Sequence, residues 1–223
     1  MSIAILIVQC HFSLVCQTLF IIFLSYKLSF LDNSVSIMNA MPKPFYEYVS
    51  RCMGLEFINF ISSNFFINTF NLKKDWITVT LVPRELVDSI VKLSNTNVLS
   101  SGSLCGWIHN GKFVPAPHLF NLSKRYGYKH GCSVVVKPQG VKAFLYGNDV
   151  LLASFDHFIF PVRKGDYVAV LDSSDMHAIG TGLLLIDRDE VEKLIREGKM
   201  LVAIVKNVFD LGIHIRNERF FLY

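Results

Sequence analysis

Between Val134 and Leu152 the apolar positions change period twice. Val134-Val135-Val136 is an unbroken apolar run and reads as a strand. Pro138 and Gly140 break it. Val141, Phe144 and Leu145 then recur at i, i+3 and i+4, which predicts one short helix. Gly147-Asn148 ends that helix, because both residues tolerate left-handed backbone. Val150 to Leu152 resumes the apolar run. Lys142 and Tyr146 lie four apart on the other side of the helix. A cation and an aromatic beside a glycine turn can hold a phosphodiester backbone, and they also fit a plain solvated face.

Upstream, Phe45, Tyr48, Val49 and Cys52 share one face of a helix expected from Pro42 to Met53, closed by Gly54. Leu55 to Ile61 and Phe65 to Phe70 are apolar runs on either side of Ser62-Ser63-Asn64, which predicts a hairpin. Lys73-Lys74-Asp75 makes another polar turn before a strand from Trp76 to Leu81. Pro83 suits the first residue of a helix with Leu86, Val87, Ile90, Val91 and Leu93 on its stripe, running to Ser94. A polar loop covers Asn95 to Ser103. Asn110-Gly111 between two apolar runs is a strong hairpin signal. His118 to Tyr126 reads as a helix. Lys124 and Arg125 at its end suit the helix dipole, or form an RNA-facing patch with Lys129.

Downstream, Phe158 to Val162, Tyr167 to Leu171 and Ala178 to Leu185 read as strands. Gly180 and Gly182 lie two apart in the last of these and predict close backbone approach. Asp187 and Glu190 have the spacing of a capping box. The helix that follows has Val191, Leu194 and Ile195 as its expected buried stripe, with Lys193 and Arg196 outside it. Leu201 to Val205 and Gly212 to Arg216 complete the expected strands. The order gives a mostly antiparallel pseudobarrel.

Charge alters this picture only locally. Residues 41–130 hold ten bases and five acids, and residues 131–223 hold eleven bases and twelve acids. An anionic partner must therefore meet patches rather than a uniformly basic surface. Hydrophobic residues make up 52% of the 223, so the chain can bury a core and disorder is not expected. The five cysteines lack any Cys-x-x-Cys, which favours a reduced interior and argues against both a zinc ribbon and a disulfide scaffold. Met1 to Tyr26 carries no charge. Three readings fit this leader: translated upstream sequence with the true start at Met38 or Met41, a membrane segment, or a helix packed on the domain.

Gly140, the helix ending at Gly147, Lys164-Gly-Asp-Tyr-Val-Ala-Val170 and Ala178-Ile-Gly-Thr-Gly182 occur in an order that resembles the PUA domain, an RNA-binding module. Val136-Lys-Pro, Phe144-Leu-Tyr-Gly-Asn148, Leu99-Ser-Ser-Gly-Ser-Leu-Cys-Gly106 and Asp210-Leu-Gly-Ile-His-Ile-Arg216 resemble, more narrowly, the Nip-seven family that assists assembly of the large ribosomal subunit. The likeness spans about residues 41–220 and leaves out 1–40, which favours the later start. It implies an α+β chain: a small antiparallel α/β domain at 41–130 and a PUA-type β pseudobarrel at 131–223, after a leader at 1–40 outside the fold. It also implies an archaeal member, cytoplasmic if so and nuclear or nucleolar if eukaryotic. The expected ligand is U-rich or A/U-rich single-stranded pre-rRNA, with ribosome assembly proteins as partners and a monomeric state. By the same likeness RNA is carried on the second PUA helix by Arg188, Lys193 and Arg196, with Lys199 just after it. Lys142 and Tyr146 are further candidates. Asp187, Asp189, Glu190, Glu192 and Glu197 weaken the field there.

Enzymatic signatures are not found. There is no phosphate-binding glycine loop and no nucleophile elbow. The histidines do not combine with cysteines at metal-ligand spacing, so no metal or cofactor is expected. Asp156-His157 suggests acid–base work, but neighbours on an extended run should point to opposite faces. The expected protein is therefore a non-enzymatic RNA-binding assembly factor without a small-molecule substrate. Two rival readings share the architecture: a translation-associated factor contacting tRNA or the small subunit, and an accessory subunit of an RNA-modifying enzyme. A membrane-tethered RNA binder would require residues 1–26 in the mature chain.

Overall fold

The computed structural model describes residues 41–73, 75–88 and 102–216. The expectations for residues 1–40, for the later part of the Pro83–Ser94 helix and for most of the following loop lie outside them.

Helix α1 (Lys43–Met53) forms as its stripe predicts, with Phe45, Tyr48, Val49 and Cys52 all buried. Gly54, at φ +89, ends it and starts α2 (Leu55–Asn64). The first strand of the expected hairpin is thus a helix. Phe57, Ile58 and Ile61 are buried while Leu55 is 59% exposed, a one-sided spacing that only a helix satisfies. A short apolar run does not by itself distinguish the two forms.

The hairpin forms one segment later. β1 (Phe65–Lys73) pairs antiparallel with β2 (Trp76–Pro83). β3 (Ser103–His109) and β4 (Lys112–Pro115) follow, joined by Asn110 and Gly111, both at positive φ as a two-residue hairpin turn requires. The sheet order is β1-β2-β3-β4. Pro117 then opens α3 (Pro117–Arg125).

A second sheet is built from β5 (Ser133–Val136), β6 (Val150–Leu151), β7 (Phe155–Ile159), β8 (Tyr167–Asp172), β9 (Ala178–Leu184) and β10 (Ala203–Asp210). Its order is β6-β10-β9-β8-β5-β7, antiparallel except between β5 and β8, and it curls into a half-barrel. α4 (Pro138–Leu145), α5 (Arg188–Arg196) and the short α6 (Ile213–Arg216) complete the described chain. α6 stands where a last strand was expected. Gly212 permits this, since a Cβ there would collide with the Leu145 carbonyl. The fold is mixed α+β, as expected.

β5 and β8 are buried on both faces, which is why they read as continuous apolar runs. Val134, Val136, Val168 and Val170 face a core inside the half-barrel with Phe144 and Ile204. Val135, Ala169 and Leu171 face a second core with Phe45, Phe57 and Leu119. Gly180 and Gly182 do mark close approach. A Cβ on Gly180 would strike the Phe144 ring and the Phe209 carbonyl, and one on Gly182 would strike Val205.

The two sheets are also tied by polar bonds. Tyr48 donates to the Tyr167 carbonyl at 2.8 Å, and Thr181 to the Pro115 carbonyl at 2.7 Å. Asn121 and Ala178 exchange hydrogen bonds at 2.8 and 3.1 Å. Cys52 and Cys132 form a disulfide, while Cys105 is free and buried. This corrects the expectation that no disulfide would form. The partners lie 80 residues apart, and only the packing of α1 against the start of β5 brings them together. Among the described residues no helix is long and apolar enough to cross a membrane.

Candidate nucleic-acid interface

Helix α4 begins at Pro138, whose missing N–H suits the first turn, and ends at Leu145, with Tyr146 as its cap and Gly147 at φ +87 just after it. Phe144 is fully buried and fixes its inner face. Lys137, Lys142 and Tyr146 are all exposed, and Tyr146 reaches 75% exposure. The stretch from Lys137 to Asn148 contains no acid. The C-terminal end is locked from behind. Arg216 donates to the Leu145 carbonyl and to Asp210 at 2.9 and 3.0 Å, and Asn207 donates to the Phe144 carbonyl at 2.9 Å. Phe144, Gly147, Asp210 and Arg216 therefore hold the helix, leaving Lys142 and Tyr146 to face outward.

Helix α5 differs in its charge. Arg188, Lys193, Arg196 and Lys199 are exposed, as a phosphate-binding face requires. Three of them reach acids of the same segment: Arg188 to Glu192 at 3.1 Å, Lys193 to Glu197 at 3.9 Å and Lys199 to Glu197 at 2.8 Å. The hydrogen bond from Lys199, aided by the Lys193 and Arg196 charges, holds the Glu197 carboxyl below its usual pKa. The expected capping box does not close. Asp187 instead accepts the Lys164 N–H at 2.9 Å, and Glu190 meets Lys164 Nζ at 3.5 Å, so both acids anchor the 163–166 turn. Of the expected stripe, Val191 is buried and Ile195 is 48% exposed.

Residues 153–154 link the segment after α5 to the start of α4. Ala153 N–H donates to the Met200 carbonyl at 2.8 Å, and Lys137 N–H to the Ser154 carbonyl at 2.9 Å. Gln139 Nε2 reaches the Ala153 carbonyl at 3.4 Å. The segment after α5 thus lies beside the start of α4, with Lys137 and Lys199 flanking it, while Tyr146 stands at the far end. Leu201, 80% exposed, projects from this junction. Lys137 and Leu201 were not site candidates from sequence, where Leu201 reads as the first residue of the 201–205 strand.

The 124–129 patch is only partly available. Lys124 Nζ reaches the Asp175 carbonyl and lies 3.1 Å from His177 Nδ1, so it braces a loop. Arg125 and Lys129 are exposed, and Tyr126 packs on Phe60 with centroids 4.5 Å apart.

Asp156 and His157 do not point apart. His157 Nδ1 lies 2.9 Å from Asp156 Oδ2. The register between β5 and β7 pairs Val135 with His157 and Val136 with Phe155, so Asp156 sits in a bulge that re-aims it. Among the described residues there is no cluster of three or more metal-ligating side chains.

Residues 132–219 match the family model described as the UPF0113 PUA domain. The match assigns to that part of the chain the PUA type of fold, a general RNA-binding fold. No curated protein matches the chain. Among solved structures, the chain resembles a hypothetical protein from the hyperthermophilic archaeon Pyrococcus horikoshii OT3, with TM-score 0.52 and 16% identity, over 74% of this chain and 86% of that one. A conserved PUA domain protein from Thermoplasma acidophilum gives TM-score 0.45 and 16% identity over 66% and 76%. A PUA domain from Aeropyrum pernix K1, in a tartrate complex, gives 0.41 and 15% over 71% and 81%. The first of these likenesses is one of fold.

Proposed function

We propose that this chain is a non-enzymatic RNA-binding assembly factor of the large ribosomal subunit, taking U-rich or A/U-rich single strands of pre-rRNA on its PUA domain. Tyr146 carries the reading. It is 75% exposed on a helix whose inner face is otherwise tightly packed. Lys142 lies one turn before it and Lys137 caps the same helix, in a stretch free of acids. Lysines on such a surface neutralise phosphates, and an exposed aromatic ring stacks on an unpaired base.

The α5 cations form the weaker half of the site in this reading. Four bases from Arg188 to Lys199 stand among five acids from Asp187 to Glu197. An exposed cation already paired with a carboxylate offers a phosphate less than a free one does. Lys199 still contributes, because it lies at the junction with α4.

The ribosomal role is supported by the resemblance of residues 41–220 to the Nip-seven family. A cytoplasmic site follows if the chain is archaeal. Gradient sedimentation of cell extract tests the role. The protein should travel with precursors of the large subunit and leave them after ribonuclease treatment. Sedimentation with small-subunit precursors or tRNA would contradict it.

A further inference from the structure

The groove between β7 and α5 has a composition that a phosphate site would not have. Phe155, Phe158 and Phe160 form its aromatic wall, with centroids 4.6 and 6.1 Å apart in succession. Phe160 is 51% exposed, and Arg188 stands over it at 5.7 Å from the ring centroid. Val191 and Ile195 close the opposite side. The volume is about 270 Å³, room for one flat ring system rather than an extended ligand.

The polar groups at its rim choose the occupant. Asp156 and Glu192 bring two carboxylates into the lining, which repel a phosphate. Arg188 uses Nε for Glu192, and among the described residues no hydrogen bond takes up its terminal nitrogens. His157 Nδ1 lies 2.9 Å from Asp156 Oδ2, and a carboxylate oxygen can only accept in such a contact. Each carboxylate oxygen accepts more than one hydrogen bond, so Asp156 keeps acceptor capacity on both. The rim thus offers two adjacent acceptor oxygens, a guanidinium donor and an aromatic face.

We infer that this groove binds one unpaired guanine of the RNA. Guanine carries two adjacent donors, N1–H and the N2 amino group, that match a carboxylate, and its O6 accepts from a guanidinium. Uracil offers a single ring N–H, and adenine and cytosine do not present that donor pair. Flipped bases in single strands are read in this way, by stacking plus hydrogen bonds to the Watson–Crick edge. The groove lies within reach of the α4 face, since Phe155 follows Ser154, which accepts the Lys137 N–H. The bulge at Asp156 gains a purpose here, because it turns the carboxylate and the imidazole to one side.

This inference rests on the proposed RNA binding by α4, and the test separates the two. Affinity of the full chain is measured by fluorescence anisotropy for an all-U oligonucleotide and for the same oligomer with one central guanosine, inosine, adenosine or cytidine. The guanosine oligomer should bind about tenfold tighter than all-U, the effect of one bidentate base contact. Inosine, which lacks the N2 amino group, should lose most of that gain. Asp156→Asn should remove the gain and leave all-U binding unchanged. Phe160→Ala provides a second variant that removes stacking without touching the carboxylate, and it too should reduce the gain. Measurable all-U binding with no preference for guanosine would overturn the groove alone. A preference that survives Asp156→Asn would also overturn it. Absence of binding to every oligomer would overturn both readings. GMP that binds as tightly as the guanosine oligomer would reassign the groove to a free nucleotide.

Discussion

Arg216 grips Asp210 with both terminal nitrogens, at 2.9 and 3.0 Å, and the same guanidinium reaches the Leu145 carbonyl at the end of α4. Asp210 is 3% exposed. Removing one partner of a buried pair leaves an uncompensated charge, so Asp210→Ala should cost about 3–5 kcal/mol. Urea unfolding would measure this. Replacing both residues should restore part of the loss. The pair also faces Gly147, so weakening it should loosen the turn that presents Tyr146.

Gly180 and Phe144 form a second tight contact. Gly180→Ala places a methyl group against the ring and against the Phe209 carbonyl. Overpacking of this kind costs about 1–3 kcal/mol. Gly180→Ala combined with Phe144→Leu should recover some of that stability in a thermal melt, because the ring is the one side-chain obstacle among the nearest atoms, the others being backbone. Gly165→Ala meets open space but sits at φ +83, so its cost should come from the backbone alone.

The Cys52–Cys132 disulfide closes an 80-residue separation. Loop-closure entropy alone predicts about 4 kcal/mol of stabilisation. Cys52→Ser, or treatment with dithiothreitol, should lower the urea midpoint accordingly, and the Cys52→Ser protein should show no further response to reductant, whereas Cys105→Ser keeps the disulfide and the response. An unchanged midpoint under reductant would contradict this.

His130 links stability to pH. Burial, with the nearby Lys124 charge, pushes its pKa below the ordinary 6.5. The unfolded chain therefore binds the proton more readily than the folded one. Stability should be highest above pH 6.5 and fall as the pH drops below it, down to the lowered folded value. His130→Gln should flatten the profile of unfolding midpoint against pH below 6.5.

Much of this architecture could be read from residue order, and the failures have identifiable causes. The α1 stripe and the Asn110-Gly111 turn are local signals, and both appear in the structure. Phe57, Ile58 and Ile61 lie in an apolar run that fits helix and strand equally, and packing against α1 decides between them. The pairing of Cys52 with Cys132 depends on contact between distant segments, which no spacing rule reveals. Asp156 and His157 meet because of a bulge, and a bulge shows only when strand partners are known. The α4 candidates Lys142 and Tyr146 were legible because one short helix carries both. The pairing of the α5 cations with their own acids emerged only from side-chain geometry.

The difference between the two helices predicts an unequal response to substitution. Lys193 is already paired with Glu197 at 3.9 Å and so has little to offer a phosphate. Binding of a U-rich strand should weaken by less than about threefold in the Lys193→Ala/Arg196→Ala variant, and its salt slope should barely change. A loss equal to or larger than that of Lys142→Ala/Tyr146→Ala would move the RNA contact to α5.

The most direct test is the salt dependence of binding to a U-rich single strand, comparing the natural chain with Lys142→Ala/Tyr146→Ala. The natural chain should bind with log affinity falling linearly against log salt. The double variant should bind at least about tenfold more weakly, from the lost stacking contact. Its slope should be shallower by about 0.7, the share of one phosphate contact on a single strand. Identical affinity and slope in the two proteins would contradict the assignment of RNA binding to the α4 face.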